Sequence, residues 1–296
     1  MSVDEERVRI VMSALKRRGI VYPAFELYGG VAGLFDYGPV GARILRLVKK
    51  IWLEHWLSQG NIVEIDSPTI TPFSVLEASG HVGAFNDHAV QCQLCNSVCR
   101  ADHLLEDIIP NADSLTSEQL DNAINTNKIK CPSCGKQSWK NAIPMNLMFP
   151  TNIGPVGIGR QAFLRPETAQ GMFTNFGHLY RHFRQQLPFG AVQLGKGYRN
   201  EISPRQGMIR QREFNMAELE YFIDPDSPIN MNNIVKSSNV LNLLPDPCGS
   251  KPKEIKMTMA SAIEEGIVRH PIVGNFILDT FEFLKKVGID ENRVRF

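Results

Sequence analysis

Apolar positions recur at helical spacing in several stretches of the chain, separated by shorter runs of period two. Residues 4–18 place Val8, Val11, Met12 and Leu15 on one stripe and stop at Gly19, which predicts an amphipathic helix. The run from Glu26 to Gly41 mixes glycines with aromatics and predicts a tight loop rather than a linker. Pro39 then opens a second helix reaching about Ser58. Ile44, Leu45, Leu47, Val48, Ile51, Trp52, Leu53, Trp56 and Leu57 make it apolar around much of its girth, so it is expected to be buried or to pack against a partner subunit. Gly60 ends it, and 61–70 reads as a strand broken at Pro68. Thr116 and Gln119 form a capping box that opens a helix over 117–127. Residues 146–160 read as loop. Pro166 suits the start of a helix running to about Gln186, with Glu167 in its first turn. Residues 224–253 read as loop or insertion, 272–287 as a helix carrying Val273, Phe276, Ile277, Phe281 and Leu284, and 294–296 as the start of a strand.

The period-two signal is concentrated in 191–223 and predicts a β-hairpin. Its arms are 191–201 and 209–223, joined by a turn over Ser203, Pro204, Arg205, Gln206 and Gly207. Val192, Leu194 and Tyr198 share a core face with Lys196 among them. The other face carries Gly195, Gly197, Arg199 and Glu201, and across from them Arg210, Arg212, Phe214, Met216, Glu218 and Glu220. Two glycines on one face of a strand mark a close approach to the backbone. Arginines match phosphate geometry, and a phenylalanine between them can stack on a flat ring. That face therefore has the parts of a nucleotide site, and equally those of a solvated set of cross-strand ion pairs.

The chain has 296 residues, 43% hydrophobic and 21% charged, with net charge +1. This composition suits a soluble protein with a large core, and the near-neutral balance leaves any RNA contact to local patches such as Lys16–Arg18 or Arg181–Arg184. No apolar run reaches membrane-spanning length and the first residues are charged, so a cytoplasmic protein without membrane contact is expected.

Cys92 and Cys95, and Cys131 and Cys134, form two CxxC knuckles that can bring four thiolates to the corners of a tetrahedron. Gly135 permits the tight backbone after the second pair. A structural Zn²⁺ stapling an inserted module over 92–135 is expected, the alternative being reduced free thiols. Disulfides do not suit a cytosolic chain. Cys99 and Cys248 are spare thiols, and His103 is a rival ligand.

The hairpin resembles motif 2 of the class II aminoacyl-tRNA synthetases: Tyr198-Arg199-Asn200-Glu201, a loop, then Arg210 and Phe214. The longer run RNEISPRQGMIRQREFNMAELEYF, together with YGGVAGLFDYGPVG, ASGHVGAF and RPETAQG, resembles the glycyl-tRNA synthetases of the archaeal and eukaryotic dimeric type. The long helix, Gly60 and the Pro68 strand match the layout of motif 1, about 40–70, which forms the dimer interface in that family. That family has a comparable insertion, with a CxxC pair just before an aromatic-Arg-Ala-Asp-His sequence; Cys99 stands here in place of the aromatic.

The resemblance implies an α+β fold, an antiparallel sheet flanked by helices with a zinc-binding insertion. Residues 1–91 and 136–296 would form a partial catalytic domain with motif 2 at about 191–223. Motif 3 and an anticodon-binding domain are not recognised, and no P-loop or class I signature is present. The implied reaction is ATP-dependent ligation of glycine to its tRNA through glycyl-adenylate, with Mg²⁺ sharing the phosphate charge. Arg199 would meet the α-phosphate, Arg210 the outer phosphates, and Phe214 would stack on adenine; Glu201 would orient Arg199 or contact the adenosine. Asn200, Ile209, Gln211, Arg212 and Glu213 complete the implied ATP site. Glu167 and Glu218 would hold the glycine ammonium, with Arg100, Phe214, Asn215, Met216 and Ala217 beside it. Implied partners are glycine, ATP, tRNA, a second copy of the chain and, given the missing motif 3, a separate C-terminal chain without which the reaction would not run. The alternatives are a truncated or split synthetase-like protein that binds nucleotide or RNA without full activity, and a zinc-ribbon RNA-binding module.

Overall fold

The computed structural model describes residues 3–155, 159–204, 207–226, 238–245 and 253–296, in two compact units. The first comprises Met1–Ile44, Ile65–His178 and Gln193–Glu220, the second Leu45–Glu64, Leu179–Val192 and Tyr221–Phe296.

The first unit opens with helix Val3–Arg17, after which strands Val21–Pro23 and Phe35–Tyr37 pair antiparallel. The glycine–aromatic run between them is compact, as expected. A Cβ at Gly41 would stand 1.8 Å from the Ile20 carbonyl oxygen, and one at Gly38 2.4 Å from that of Gly19. Helix Pro39–Leu57 begins at the predicted proline. It buries Trp52 and Trp56, whereas Val40, Ile44 and Leu47 are exposed in the single chain.

Ile70–Pro72, Arg160–Leu164 and Phe149–Ile153 form an antiparallel sheet with Thr71 opposite Phe163 and Asn152 opposite Gln161. Residues 149–153 of the stretch expected to be loop are therefore a strand. Pro150, Thr151 and Asn152 dilute its pattern, which an edge strand tolerates because one side of its backbone needs no partner. Leu76, Met148 and Phe163 form the small core beneath it.

The single helix expected from Pro166 is two short ones, Ala169–Thr174 and Phe176–His182. Thr168 is the N-cap, so Glu167 precedes the helix instead of lying in its first turn. At the break the Asn175 amide and the Thr174 hydroxyl donate back to the Gly171 and Gln170 carbonyls, side chains competing with the backbone ladder.

The hairpin is present with shorter arms, Phe189–Tyr198 and Glu213–Phe222. Pairing stops after Tyr198 because the Asn200 N–H donates to Leu147 O at 2.7 Å. It starts late on the other side because the Arg212 N–H is taken by Gly33 O at 2.8 Å. Arg199, Glu201, Arg210 and Arg212 thus lie on the connecting loop, not on the strands. Arg205 and Gln206 of the expected turn, the 227–237 and 246–252 portions of the expected 224–253 loop, and Cys248, lie outside the described residues. Phe189–Gln193 is buried on both faces, where alternation was expected. The strand lies between Glu213–Phe222 and Ile62–Glu64 and pairs with the latter in parallel.

Strand Asn86–Gln91 pairs antiparallel with both Val98–Arg100 and Ile143–Asn146. Helix Ser117–Thr126 carries both bonds of the predicted capping box, and its Leu120 and Ile124 pack with Val90, Cys99, Ala101, Leu105, Ala112 and Ala142.

In the second unit Trp56 and Tyr221 pack on Phe276 of helix Pro271–Lys286, with ring centroids 5.8 and 4.9 Å apart. Strands Val240–Leu243 and Ile255–Thr258 and helix Met259–Glu264 close a core of Leu241, Met259, Leu278 and Phe281. Residues 294–296 carry no strand, although Phe296 N–H donates to Asn242 O at 2.9 Å. No helix among the described residues is long and apolar enough to cross a membrane.

The two glycines Gly41 and Gly177 make opposite predictions. Gly41→Ala forces its methyl onto a backbone oxygen and is expected to cost about 2 kcal/mol or more, read as a lower melting temperature. Gly177→Ala, in helix Phe176–His182 with open space at its Cβ, should be neutral or stabilising by up to ~1 kcal/mol. Equal melting temperatures for the two variants would overturn the packing argument.

Candidate active site and metal centre

The site is built in the first unit from the hairpin, the loop joining its arms, the Arg165–Thr168 segment and the inserted module. Its foundation is Arg165, which the sequence reading quoted without assigning. The Arg165 side chain is buried and donates to the Ser67 and Lys196 carbonyls at 2.7 and 2.8 Å. Its own backbone pairs with Thr69 O and Tyr198 N. A Cβ at Gly195 would meet the guanidinium at 2.1 Å, and one at Gly197 would meet Met216 Sδ at 2.5 Å. The two glycines do mark close approaches, and what approaches them here is the protein itself.

Arg199 lies over two rings, Phe85 at 5.3 Å and Phe214 at 5.4 Å from its guanidinium carbon. Its Nε donates to Pro166 O at 3.4 Å, and it makes no ion pair among the described residues. The Glu201 carboxylate pairs with Arg210, whose Nε stands 3.7 Å from Glu201 Oε2, while Arg199 acts on it at longer range. Glu201 is buried, and burial pushes its carboxyl above the usual range against the pull of Arg210. Arg210 Nη1 also donates to His103 Nε2 at 3.1 Å. Arg212 is committed to structure, donating to the Ala32 and Glu201 carbonyls.

Arg100 is gripped as a fork by Asp102, at 3.0 and 2.6 Å, and meets Asp87 at 2.7 Å. The two acids shift in opposite directions. Burial raises both, but at Asp102 the two charge-assisted bonds override it, whereas at Asp87 burial prevails, Arg100 pulling against it and Asp102 adding repulsion.

Glu218 accepts hydrogen bonds from Thr168 N at 2.8 Å and from the Thr168 hydroxyl. Glu167 accepts from Gln170 Nε2 at 2.6 Å, with His81 Nε2 at 3.5 Å. Glu220, raised by burial and by the charges of Glu218 and Glu167, is a third carboxylate of the group. Such a cluster attracts a small cation. Phe85, His81, Asp87, Asp102 and Thr168 were not assigned from sequence. Phe85 and His81 lie in the 78–85 string and Thr168 in RPETAQG, but nothing local indicates which side chain each one meets.

Of the remaining expected residues, Glu213 pairs with Lys196 at 3.1 Å and Asn215 donates to the Tyr37 hydroxyl at 3.4 Å. Gln211 returns to Met208 O, while Ile209 and Ala217 are exposed. Asn200 contributes its backbone N–H to Leu147.

The four predicted cysteines converge, with all four Sγ atoms within 4.8 Å of one another and the pairs Cys92–Cys134 and Cys95–Cys131 at 3.7 and 3.6 Å. Both knuckles turn the same way. Asn96 N donates to Cys92 O and Gly135 N to Cys131 O, and both donors have positive φ. Gly135 was expected in this role; Asn96 is its counterpart in the first knuckle. The cluster can hold a metal ion. Cys99 is buried in the core of the module and His103 faces Arg210, so neither belongs to it.

Residues 158–246 match the family model of the tRNA synthetase class II core domain (G, H, P, S and T). The glycine–tRNA ligase of Methanococcus maripaludis strain C7 is 44% identical over 97% of this chain and 51% of its own length. That of Methanothrix thermoacetophila is 44% identical over 98% and 50%, and that of Archaeoglobus fulgidus 42% over 97% and 49%. The chain spans about half the length of the curated relatives it matches. Among solved structures, a Giardia lamblia prolyl-tRNA synthetase in complex with prolyl-adenylate aligns over 75% of this chain and 32% of its own, with a TM-score of 0.45 and 15% identity. Residues 158–246 thus carry the class II tRNA synthetase core domain, and nearly the whole chain is similar to about half of a glycine–tRNA ligase.

Proposed function

We propose that this chain carries the ATP and amino-acid sites of a glycine–tRNA ligase, activating glycine as glycyl-adenylate for transfer to tRNA. The observation that carries the proposal is Arg199. Two ring faces and one carbonyl hold its guanidinium, and among the described residues no carboxylate lies within ion-pair distance of it. A preorganised, uncancelled cation stabilises the charge that develops when the glycine carboxylate attacks the α-phosphate. Glycine would sit with its ammonium toward Glu167 and Glu218, which in turn places its carboxylate toward Arg199. Phe214, already lying flat against Arg199, presents a ring for adenine, and Arg210 is directed to the outer phosphates. Arg100, fully engaged by Asp87 and Asp102, shapes the wall beside them. Mg²⁺, when bound with ATP, shares the phosphate charge. The exposed Val40, Ile44 and Leu47 on helix Pro39–Leu57 suit packing against a second copy. Glycine-dependent exchange of labelled pyrophosphate into ATP tests the reading directly. Exchange that is absent, or indifferent to glycine, would count against it.

The second element of the proposal is a structural Zn²⁺ held by Cys92, Cys95, Cys131 and Cys134. Tetrahedral Zn–S bonds of about 2.3 Å place sulfurs about 3.8 Å apart. The observed pairs at 3.7 and 3.6 Å fit that edge, and no fifth donor joins the cluster among the described residues. Elemental analysis should find one zinc per chain, and Cys131→Ser should lower both zinc content and melting temperature. A metal-free preparation as stable as the loaded one would refute the structural role.

The carboxylate group predicts a split between substrates. Among the described residues Glu167 makes one side-chain bond and one longer contact, to Gln170 and His81, so Glu167→Gln should leave the fold intact. It should raise the glycine KM by about 10-fold or more, the loss of one charged hydrogen bond, with the ATP KM nearly unchanged. Equal losses for both substrates would place Glu167 outside the glycine site.

A further inference from the structure

Arg210 is held in a way that the proposed reaction does not explain. Its Nη1 lies 3.1 Å from His103 Nε2, a residue of the inserted module more than a hundred positions away, while the Glu201 carboxylate stands off at 3.7 Å from Nε. A guanidinium has donors and no acceptor. The contact therefore requires a lone pair on Nε2, which puts the proton of a neutral imidazole on Nδ1.

We propose that His103 is a positioning residue for ATP binding: as a neutral acceptor it aims Arg210 into the site without adding a second carboxylate to the Glu201 contact. The inference rests on the reading of Arg210 as a phosphate ligand. A carboxylate at the same place would hold the arginine more strongly but would cancel the charge that the phosphates need. An imidazole avoids that cost.

The surroundings of His103 keep it neutral. Arg100, Asp102 and Glu106 face it from its own segment, Asp87 from strand Asn86–Gln91, and Arg210 from the loop between the hairpin arms. Burial and Arg100 push its pKa below the ordinary value, Asp102 pulls the other way, Arg210 lowers it further, and Glu106 opposes; the balance is downward. Protonation would remove the acceptor and set an imidazolium against two guanidinium groups. Arg210 should therefore lose its fixed aim as pH falls through the lowered pKa, and ATP affinity should fall with it. The module stapled by the four cysteines thereby contributes to the nucleotide site through a side chain its metal does not touch.

The test is ATP titration of the full chain by calorimetry between pH 5 and 8, alongside His103→Leu, His103→Gln and Arg210→Met. His103→Leu, with no acceptor, should weaken ATP binding about 10-fold at pH 7.5. His103→Gln keeps an acceptor that cannot titrate, so it should bind close to wild type and lose the histidine-dependent weakening at acid pH. Long-range ¹H–¹⁵N spectra of the wild-type imidazole should show the Nδ1–H tautomer, giving way to Nε2–H in Arg210→Met. Wild-type affinity in His103→Leu beside a large loss in Arg210→Met would overturn the proposal and leave the site reading standing. Wild-type affinity in Arg210→Met, or a wild-type chain that binds no ATP, would overturn the site reading itself. Should His103→Leu fail to fold, the wild-type tautomer decides: a proton on Nε2 rules the hydrogen bond out.

Discussion

A buried guanidinium, that of Arg165, ties the site together. Charge taken out of water is tolerated only where its donors are met, and here they are met by backbone carbonyls of the Ser67 and Lys196 segments. The Arg165 backbone bonds to Thr69 and Tyr198 at the same time. One residue thus fixes the spacing between the end of strand Arg160–Leu164, the strand carrying Gly195, and the segment before Ile70. Gly195 is a condition of this arrangement, since any side chain there would occupy the space of the guanidinium. Pro166, Glu167 and Thr168 follow Arg165 directly, so their placement beside Arg199 and Glu218 is inherited from this anchor.

Around that anchor the charges are sorted by how they are held. Arg100 is locked by two carboxylates and Arg212 by carbonyls, so both serve as framework. Arg199 rests on ring faces, and Arg210 meets an imidazole and, at 3.7 Å, the Glu201 carboxylate. The acids divide in the same manner. Asp102 is spent on Arg100, whereas Glu167, Glu218 and Glu220 stand near enough to raise Glu220 by mutual repulsion in addition to burial. A compact ammonium would relieve that repulsion, which is the electrostatic counterpart of the arginines' readiness for phosphate.

The inserted module extends its influence beyond its sulfur cluster. Its core of Val90, Leu105, Leu120 and Ile124, joined to Cys92 through Trp139, supports the Arg100–His103 turn. That turn reaches the loop between the hairpin arms, where the Ser203 hydroxyl also donates to Val98 O. Among the described residues the loop thus reaches the module with the Arg210 side chain, on His103, and with the Ser203 hydroxyl, on the Val98 carbonyl.

The sequence by itself determined those features whose partners lie within a few residues. The Thr116–Gln119 capping box, the helix start at Pro39 and the two CxxC turns are set by contacts at short separation, and all are present. The long motif 2 string likewise carried the family, because its pattern is linear. The tertiary structure alone decided where the hairpin ends and what each arginine does. Leu147 and Gly33 claim the backbone donors of Asn200 and Arg212, and neither competitor is near in sequence. Phe85 takes Arg199, His103 takes Arg210 and Ala32 takes Arg212 for the same reason. Pairing periodicity reports which way a residue points, while the identity of its partner depends on which distant segment is packed there.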